Sequence, residues 1–360
     1  MNLSIYDPKP ERTKIGENAI DSAKEVLGKL KVGKKIGIVC DKITHYVAGS
    51  KLERNLKGYN FEYYDIESAT VDEAYGVKKF IDHYKLDFIF GVGGGRPIDV
   101  AKLGSYLAKI DFASVPTVAS HDGIASSRAS LNGVSGKIST GAHAPVALFA
   151  DTGIILRAPE IYYDAGLGDL FSNITAVMDW RLAYRKDKCT DYNPEIADAS
   201  KFCANKVLSN PSKMKKFDQQ SVEILVENLC ASGKFMQAAG SSRPASGYEH
   251  KISHKLDELM EQPNLHGLNC ALGSRISISL YRKLALITPD EFRNFADKYY
   301  QFEDILPRTA KDLNIPRDVM IDAVWGANDV NPDRYTVGNC ISGYKKNEIE
   351  QLLSDFGIID

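Results

Sequence analysis

The stretch LDFIFGVGGGRPIDVAKLGSYLAKI, residues 86–110, joins a short apolar run to an amphipathic segment through three consecutive glycines, 93–95. We predict a buried strand, a tight turn and a helix that opens at Pro97, because proline is favoured at the first helical position. A glycine turn lets a phosphate approach the N–H groups of a helix N-terminus. A turn that binds nothing is the alternative, because Arg96 stands where the last glycine of a G-x-G-x-x-G motif would fall.

Short β-rich runs alternate with helical patterns up to about residue 157, and only long helical patterns follow. This order predicts an α/β domain with a parallel sheet over 1–157 and an all-helical domain over 158–360. A chain of 360 residues is long enough for two domains. The predicted strands are KIGIVC (35–40), FEYYDI (61–66), LDFIFGV (86–92), FASVPTV (112–118) and PVALFADTGII (145–155).

The composition argues against several partners. The formal net charge is -2, from 45 basic and 47 acidic residues, and no basic run suggests nucleic acid or an anionic membrane surface. The first residues lack the apolar segment of a signal peptide, and no run approaches the roughly 20 apolar residues that span a bilayer. Six scattered cysteines suit buried thiols in a reducing compartment. We therefore expect a cytoplasmic protein without membrane insertion.

Three of the seven histidines lie close together in SRPASGYEHKISHKLDELMEQPNLHG, residues 242–267. His250 and His254 are four residues apart, on one face of a predicted helix, and His266 follows. Asp169, in GLGD at the expected start of the first helix of the second domain, offers an oxygen ligand. Two histidines, one carboxylate and an open position make the composition of a catalytic zinc site. The alternatives are histidines on a helix surface and a helix-capping Asp169.

A second polar segment is SVPTVASHDGIASSRASL, residues 114–131, which places hydroxyls, a histidine and an aspartate after a predicted strand. The joint order of GGGRPIDVAK, PTVASHDGIASSRAS, GLGD, GYEHKISH and LHG resembles the iron-alcohol-dehydrogenase and dehydroquinate-synthase-like superfamily. Within it, the chain is most similar to the sn-glycerol-1-phosphate dehydrogenases, over nearly its whole length. The phrase SHDGIAS separates that family from plain glycerol dehydrogenases.

The resemblance implies an oxidoreductase that uses NAD or NADP, with 1–157 as its dinucleotide-binding domain and 158–360 as its metal and substrate domain. It would reversibly reduce dihydroxyacetone phosphate to sn-glycerol 1-phosphate at one Zn²⁺ per subunit, for the backbone of archaeal membrane phospholipids. A small-molecule substrate and a homo-oligomer are expected. A zinc-dependent glycerol dehydrogenase is the main alternative. A dehydroquinate-synthase-like lyase would need a cluster of Lys and Arg that the sequence does not offer, and a non-catalytic nucleotide-binding module would not need the metal-ligand candidates.

The resemblance also implies residue roles. Asp169, His250 and His266 correspond to the zinc ligands, and the catalytic, substrate-binding set is Asp122, Asp169 and His254. The implied cofactor-binding residues follow the glycine turn and the next strand: Gly95, Arg96, Pro97, Ile98, Asp99, Thr117, Val118, Ala119, Ser120 and Ser126.

Three further residues have two interpretations each. Arg128 and Arg243 are candidates to bind the substrate phosphate. The alternative is that both are solvent-facing arginines in polar loops. Asp41, directly after a predicted strand, would hydrogen-bond the adenosine ribose and favour NAD by repelling a 2′-phosphate. The alternative is that Asp41 only ends its strand in a turn.

Overall fold

The computed structural model of the protein describes residues 12–133 and 136–360; residues 1–11, at the start of the predicted first domain, lie outside the described residues. Contacts divide the chain into two compact units. The first runs to Tyr163 and also contains Lys216–Gln237, and the second contains Asp164–Lys215 and Ala238–Asp360. This division follows contacts, so the predicted domain boundary at residues 157 and 158 stays a prediction.

The first unit contains a six-stranded parallel sheet in the order β1-β8-β5-β4-β2-β3, and the predicted α/β class is confirmed. A separate antiparallel hairpin, β6–β7, was not predicted. Neither was β1, because its sequence TKIG is short and only half-buried. The strands are β1 (Thr13–Gly16), β2 (Lys35–Cys40), β3 (Asn60–Asp65), β4 (Phe88–Gly93), β5 (Phe112–Pro116), β6 (Arg128–Gly133), β7 (Gly136–Gly141) and β8 (Ala147–Asp151).

Helices and the sheet share one apolar core in the first unit. The central strands β4 and β5 are buried along their whole length, as expected for parallel strands covered on both faces. Phe88, Phe90 and Phe149 belong to this core. The first six helices are α1 (Ala23–Leu30), α2 (Lys42–Thr44), α3 (Ser50–Asn55), α4 (Val71–Tyr84), α5 (Gly95–Ala108) and α6 (Thr152–Ile155), with a π-helical turn at His45–Gly49.

The second unit is helical, and after residue 157 the described residues contain no strand, as predicted. Most of α10 belongs to the first unit. The remaining helices are α7 (Ile161–Arg185), α8 (Pro194–Leu208), α9 (Pro211–Met214), α10 (Gln219–Ala239), α11 (Tyr248–Leu259), α12 (His266–Lys283), α13 (Pro289–Tyr300), α14 (Arg317–Gly326) and α15 (Lys346–Asp355). Within the described part of the chain, no helix is both long and apolar enough to cross a membrane.

Candidate functional site

Close packing of α7 against α12 brings Asp169 near His266. A Cβ on Gly168 would lie 2.3 Å from the carbonyl oxygen of Gly267, and a Cβ on Gly267 would lie 1.8 Å from that of Ala165. Glycine at both positions is therefore required for the approach of the two backbones. Asp169 lies inside α7 and not at its start, so the helix-capping alternative is wrong. Glycines at 166 and 168 look like a turn in sequence, whereas Gly168 serves helix packing.

Asp169, His250 and His266 converge on one point within the second unit. Oδ1 of Asp169 lies 3.9 Å from Nε2 of His250 and 3.9 Å from Nε2 of His266. Two such ligands of a tetrahedral zinc ion would be about 3.4 Å apart, so a small inward movement completes the arrangement. All three side chains are largely withdrawn from solvent. The residues present therefore fit a zinc ion.

His250 and His266 both face Asp169 with Nε2, because the Nδ1 atom of each ring has a different partner. Nδ1 of His250 lies 3.1 Å from Oε1 of Glu249, and Nδ1 of His266 lies 3.0 Å from the hydroxyl of Ser253. Metal-binding histidines typically use such a partner to fix the tautomer. We did not predict Glu249 or Ser253, although both lie on α11 within four residues of His250.

A fourth potential ligand, Cys270, joins this group. One ligand atom from each of Asp169, His250, His266 and Cys270 lies within 4.8 Å of the others. His254 belongs to a different group, with Asp257 and His266. That second group could also hold a metal ion and shares His266 with the first, so His254 differs from His250 in lacking a place beside Asp169 and Cys270.

The surroundings of the group affect its titration. Burial lowers the pKa of His250, but Cys270 and Glu249 outweigh burial and raise that pKa well above its usual value. Burial also raises the pKa of the Cys270 thiol to about 11. A metal ion must displace protons from such ligands, so binding would release protons.

Buried hydrogen bonds fix the start of α11, two residues before His250. Oδ2 of Asp179 accepts the N–H of Tyr248 at 2.7 Å. Oδ1 of Asp179 accepts the Tyr281 hydroxyl and the Val337 N–H, each at 2.7 Å. Burial and, to a lesser extent, the nearby Glu249 carboxylate raise the pKa of Asp179 to about 7, although these three donors lower it. Asp179 thus ties α7, α11 and α12 together near the metal-ligand candidates.

In the first unit, the glycine turn connects β4 to α5 as predicted, although the helix begins at Gly95 instead of Pro97. The residue before α5, Gly94, has no side chain that could cap the helix, and the first turn of α5 has no acidic residue. A Cβ on Gly95 would lie 2.2 Å from Nε2 of His121, so only glycine leaves room for that ring. The positive end of the α5 dipole can therefore receive an anion.

The residues after β5 pack against this turn. Thr117 donates its N–H to the carbonyl of Gly93 at 3.0 Å, and a Cβ on Gly94 would lie 3.3 Å from Val118. Thr117, Ala119 and Ser120 are buried. The structure thus brings the two predicted cofactor segments, 95–99 and 117–120, together.

Lys102 and Asp99 form a buried ion pair at 2.8 Å, and the sequence analysis did not single out Lys102. Nζ of Lys102 also donates to the carbonyls of Gly123 at 2.8 Å and Arg128 at 2.6 Å. Oδ2 of Asp99 accepts the N–H of Ser130 at 3.0 Å. Both oxygens of Asp99 therefore have protein partners. Through these bonds the ion pair holds the polar segment 114–131 against α5.

The polar segment 114–131 also contacts α10, within the first unit. The hydroxyl of Ser232 donates to Oδ2 of Asp122 at 2.7 Å. A Cβ on Gly233 would lie 2.8 Å from the carbonyl oxygen of Asp122, so glycine permits this approach. Ser126 is buried, and its hydroxyl bonds to the main chain of Arg128 at 3.3 Å. Ser232 fixes the orientation of the Asp122 carboxylate, and it was not predicted.

The three residues with two interpretations all have local partners. Arg128 donates to the hydroxyl of Ser139 at 3.3 Å and to the Ser139 carbonyl, across the β6–β7 hairpin. Nε of Arg243 lies 3.8 Å from Oδ1 of Asp191. Oδ1 of Asp41 accepts the N–H of Thr44 at 2.8 Å, which makes Asp41 the cap of α2. Asp41 therefore caps the helix that directly follows β2.

Comparisons with known proteins find a family model, curated relatives and solved structures that resemble this chain. The family described as iron-containing alcohol dehydrogenase matches residues 14–159. The glycerol-1-phosphate dehydrogenase [NAD(P)+] of Methanothrix thermoacetophila is 39% identical, over 91% of this chain and 90% of the relative. The enzyme of the same name from Pyrococcus furiosus is 38% identical, over 91% and 92%. A probable glycerol dehydrogenase from Sinorhizobium meliloti shares the fold, with a TM-score of 0.76 and 19% identity over 96% of each chain.

Proposed function

The chain belongs to the glycerol-1-phosphate dehydrogenase family, and we propose that it reversibly reduces dihydroxyacetone phosphate to sn-glycerol 1-phosphate with NADH or NADPH. The observation that carries this proposal is the convergence of Asp169, His250 and His266 in a chain with this family membership. We place the reaction in the synthesis of archaeal membrane-lipid backbones, in the cytoplasm. Six free cysteines support a reducing compartment.

We assign the cofactor to the glycine turn of the first unit. The pyrophosphate would bind the backbone N–H groups of Gly95, Arg96 and Ile98 at the start of α5. The first turn of α5 has no acidic side chain that would repel it. Pro97 preorganises that turn. Asp99 would support the cofactor site indirectly, because its carboxylate already binds Lys102 and the Ser130 N–H. Thr117, Val118, Ala119, Ser120 and Ser126 complete the proposed cofactor set.

We assign zinc to Asp169, His250 and His266. When bound, zinc supplies a Lewis acid for the negative charge that builds on a carbonyl oxygen during hydride addition. Glu249 and Ser253 hold the Nδ1 atoms of the two histidines, so both Nε2 atoms are available as ligands. The chemistry of the donors supports zinc, since two imidazoles and one carboxylate are its usual catalytic ligands.

We assign substrate contacts to Asp122, Asp169 and His254. Asp122 would accept a hydrogen bond from a substrate hydroxyl, and Ser232 keeps its carboxylate oriented. We propose that His254 contacts the substrate and does not bind the zinc, since it shares only His266 with the group that contains Asp169 and His250. Of the two phosphate candidates, Arg243 has the weaker protein contact, an ion pair at 3.8 Å. A substrate phosphate would replace this contact more easily than the main-chain bond of Arg128.

The stereochemistry of the product tests the proposal. The purified protein is incubated with dihydroxyacetone phosphate and NADH, and the product is offered to a dehydrogenase specific for sn-glycerol 3-phosphate. We expect a glycerol phosphate that this second enzyme does not oxidise. A product that it oxidises fully, or no phosphorylated product, would contradict the proposed function.

A further inference from the structure

Cys270 lies among the three proposed zinc ligands but is not one of them. It is fully buried and follows His266 by one helical turn on α12, so both side chains lie on the same face. Its Sγ is 3.5 Å from Nε2 of His266. Nε2 is the ring nitrogen that also faces Asp169. The sulfur therefore approaches the metal-binding atom of His266.

The distance fits a shared metal ion. In a tetrahedral zinc site, bonds of about 2.3 Å to sulfur and 2.0–2.1 Å to nitrogen separate those two ligands by about 3.6 Å. The observed 3.5 Å between Sγ of Cys270 and Nε2 of His266 agrees with this value. A weak thiol-to-imidazole hydrogen bond has a similar length, and Ser253 already occupies Nδ1. The two explanations differ in whether sulfur bonds to the metal.

We propose that Cys270 is a fourth protein ligand, which binds the metal as a thiolate beside Asp169, His250 and His266. The proposal rests on the metal site of the proposed function. Binding replaces the thiol proton with the metal, and the proton leaves to solvent. A thiolate favours zinc over harder ions such as Mg²⁺ and Mn²⁺. Catalytic zinc can expand to five ligands, so a fourth protein ligand is compatible with the proposed reaction.

Substitution of cobalt for zinc tests this ligand set by spectroscopy. The zinc of the intact protein is removed with a chelator and replaced by one equivalent of Co²⁺, and the absorption spectrum is recorded. Wild-type protein should show an intense thiolate-to-cobalt charge-transfer band in the near ultraviolet. Cys270→Val and Cys270→Ser should bind cobalt without that band. The matched control is Cys203→Val, which changes another buried cysteine in the second unit and should keep the band.

Zinc affinity gives a second readout. In competition with a chelator, Cys270→Val should bind zinc roughly tenfold or more weakly than wild type and Cys203→Val. A stoichiometric cobalt protein without the charge-transfer band overturns the role of Cys270 and leaves the three-residue site intact. Failure of the wild-type protein to bind cobalt or zinc overturns the metal site and with it the role of Cys270. Turnover of dihydroxyacetone phosphate tests the proposed function separately.

Discussion

Nδ1 of His250 lies 3.1 Å from Oε1 of Glu249, the residue before it on α11. Glu249 is fully buried, and its other carboxylate oxygen accepts the Thr175 hydroxyl at 2.8 Å. A histidine that donates its Nδ1 proton to a carboxylate keeps Nε2 free as a ligand, and the carboxylate makes that nitrogen more basic. Glu249 therefore prepares His250 for the proposed metal.

The Glu249→Gln variant should bind zinc about 10–100-fold more weakly than wild type, because the amide keeps the shape of the side chain but loses its charge. The measurement is a competition titration with a chelator. Glu258→Gln is the matched control, since Glu258 lies on the same helix and pairs only with Lys255 among the ion pairs of the described residues. Equal zinc affinity in Glu249→Gln and wild type would contradict this role.

Much of the fold could be predicted because its strands and helices have strong periodic patterns. The strand predicted at 35–40 coincides with β2, and the one predicted at 112–118 ends two residues early, at Pro116. The four residues of β1 have no apolar run, so their pairing with β8 depends on tertiary contacts that a local pattern does not reveal.

The grouping of candidate metal ligands was predictable where one residue type suggests one chemistry, as for His250 and His266. Contacts were less predictable where partners are distant in sequence: Ser232 bonds to Asp122 across 110 residues. The position of Asp169 at an expected helix start also suggests a cap, and only the contact of Gly168 with α12 shows why a glycine precedes it. Glu249 could have been found from its position next to a candidate ligand.

The two histidines of α11 should respond differently to substitution. His250→Ala should lose bound zinc and turnover, because it removes a ligand near Asp169. His254→Ala should keep near-stoichiometric zinc but lose most activity, because it removes a substrate contact. Elemental analysis of the purified, folded variants gives the zinc content. A metal-free His254→Ala beside a zinc-containing His250→Ala would reverse the two roles, and retained metal and activity in both would exclude the zinc site.

Asp41 should influence the choice between NADH and NADPH. The Asp41→Asn variant keeps the side-chain oxygen that caps α2 and removes the negative charge. We expect the ratio of kcat/KM for NADPH to that for NADH to rise by an amount equivalent to about 1–3 kcal/mol. Asp72→Asn, in the first turn of α4, is the control. An unchanged ratio would leave Asp41 with its capping role alone.

Breaking the buried Lys102–Asp99 pair should strongly destabilise the fold. Lys102→Met leaves the Asp99 carboxylate without its charged partner, and it also removes the donor to two carbonyls. We expect the free energy of unfolding, from urea titration, to fall by about 3–5 kcal/mol. Lys78→Met is the control, because the ion pair of Lys78 with Asp82 is exposed and should contribute under about 1 kcal/mol. Similar effects of the two substitutions would refute this role.

The rate of NADH oxidation with dihydroxyacetone phosphate, compared with unphosphorylated dihydroxyacetone under identical conditions, tests the proposed function most directly. A phosphate bound away from the reacting carbonyl provides binding energy that orients the substrate. We predict a kcat/KM for dihydroxyacetone phosphate that is higher by at least on the order of a hundredfold. Equal values for the two substrates, or a preference for dihydroxyacetone, would contradict the account and favour a glycerol dehydrogenase.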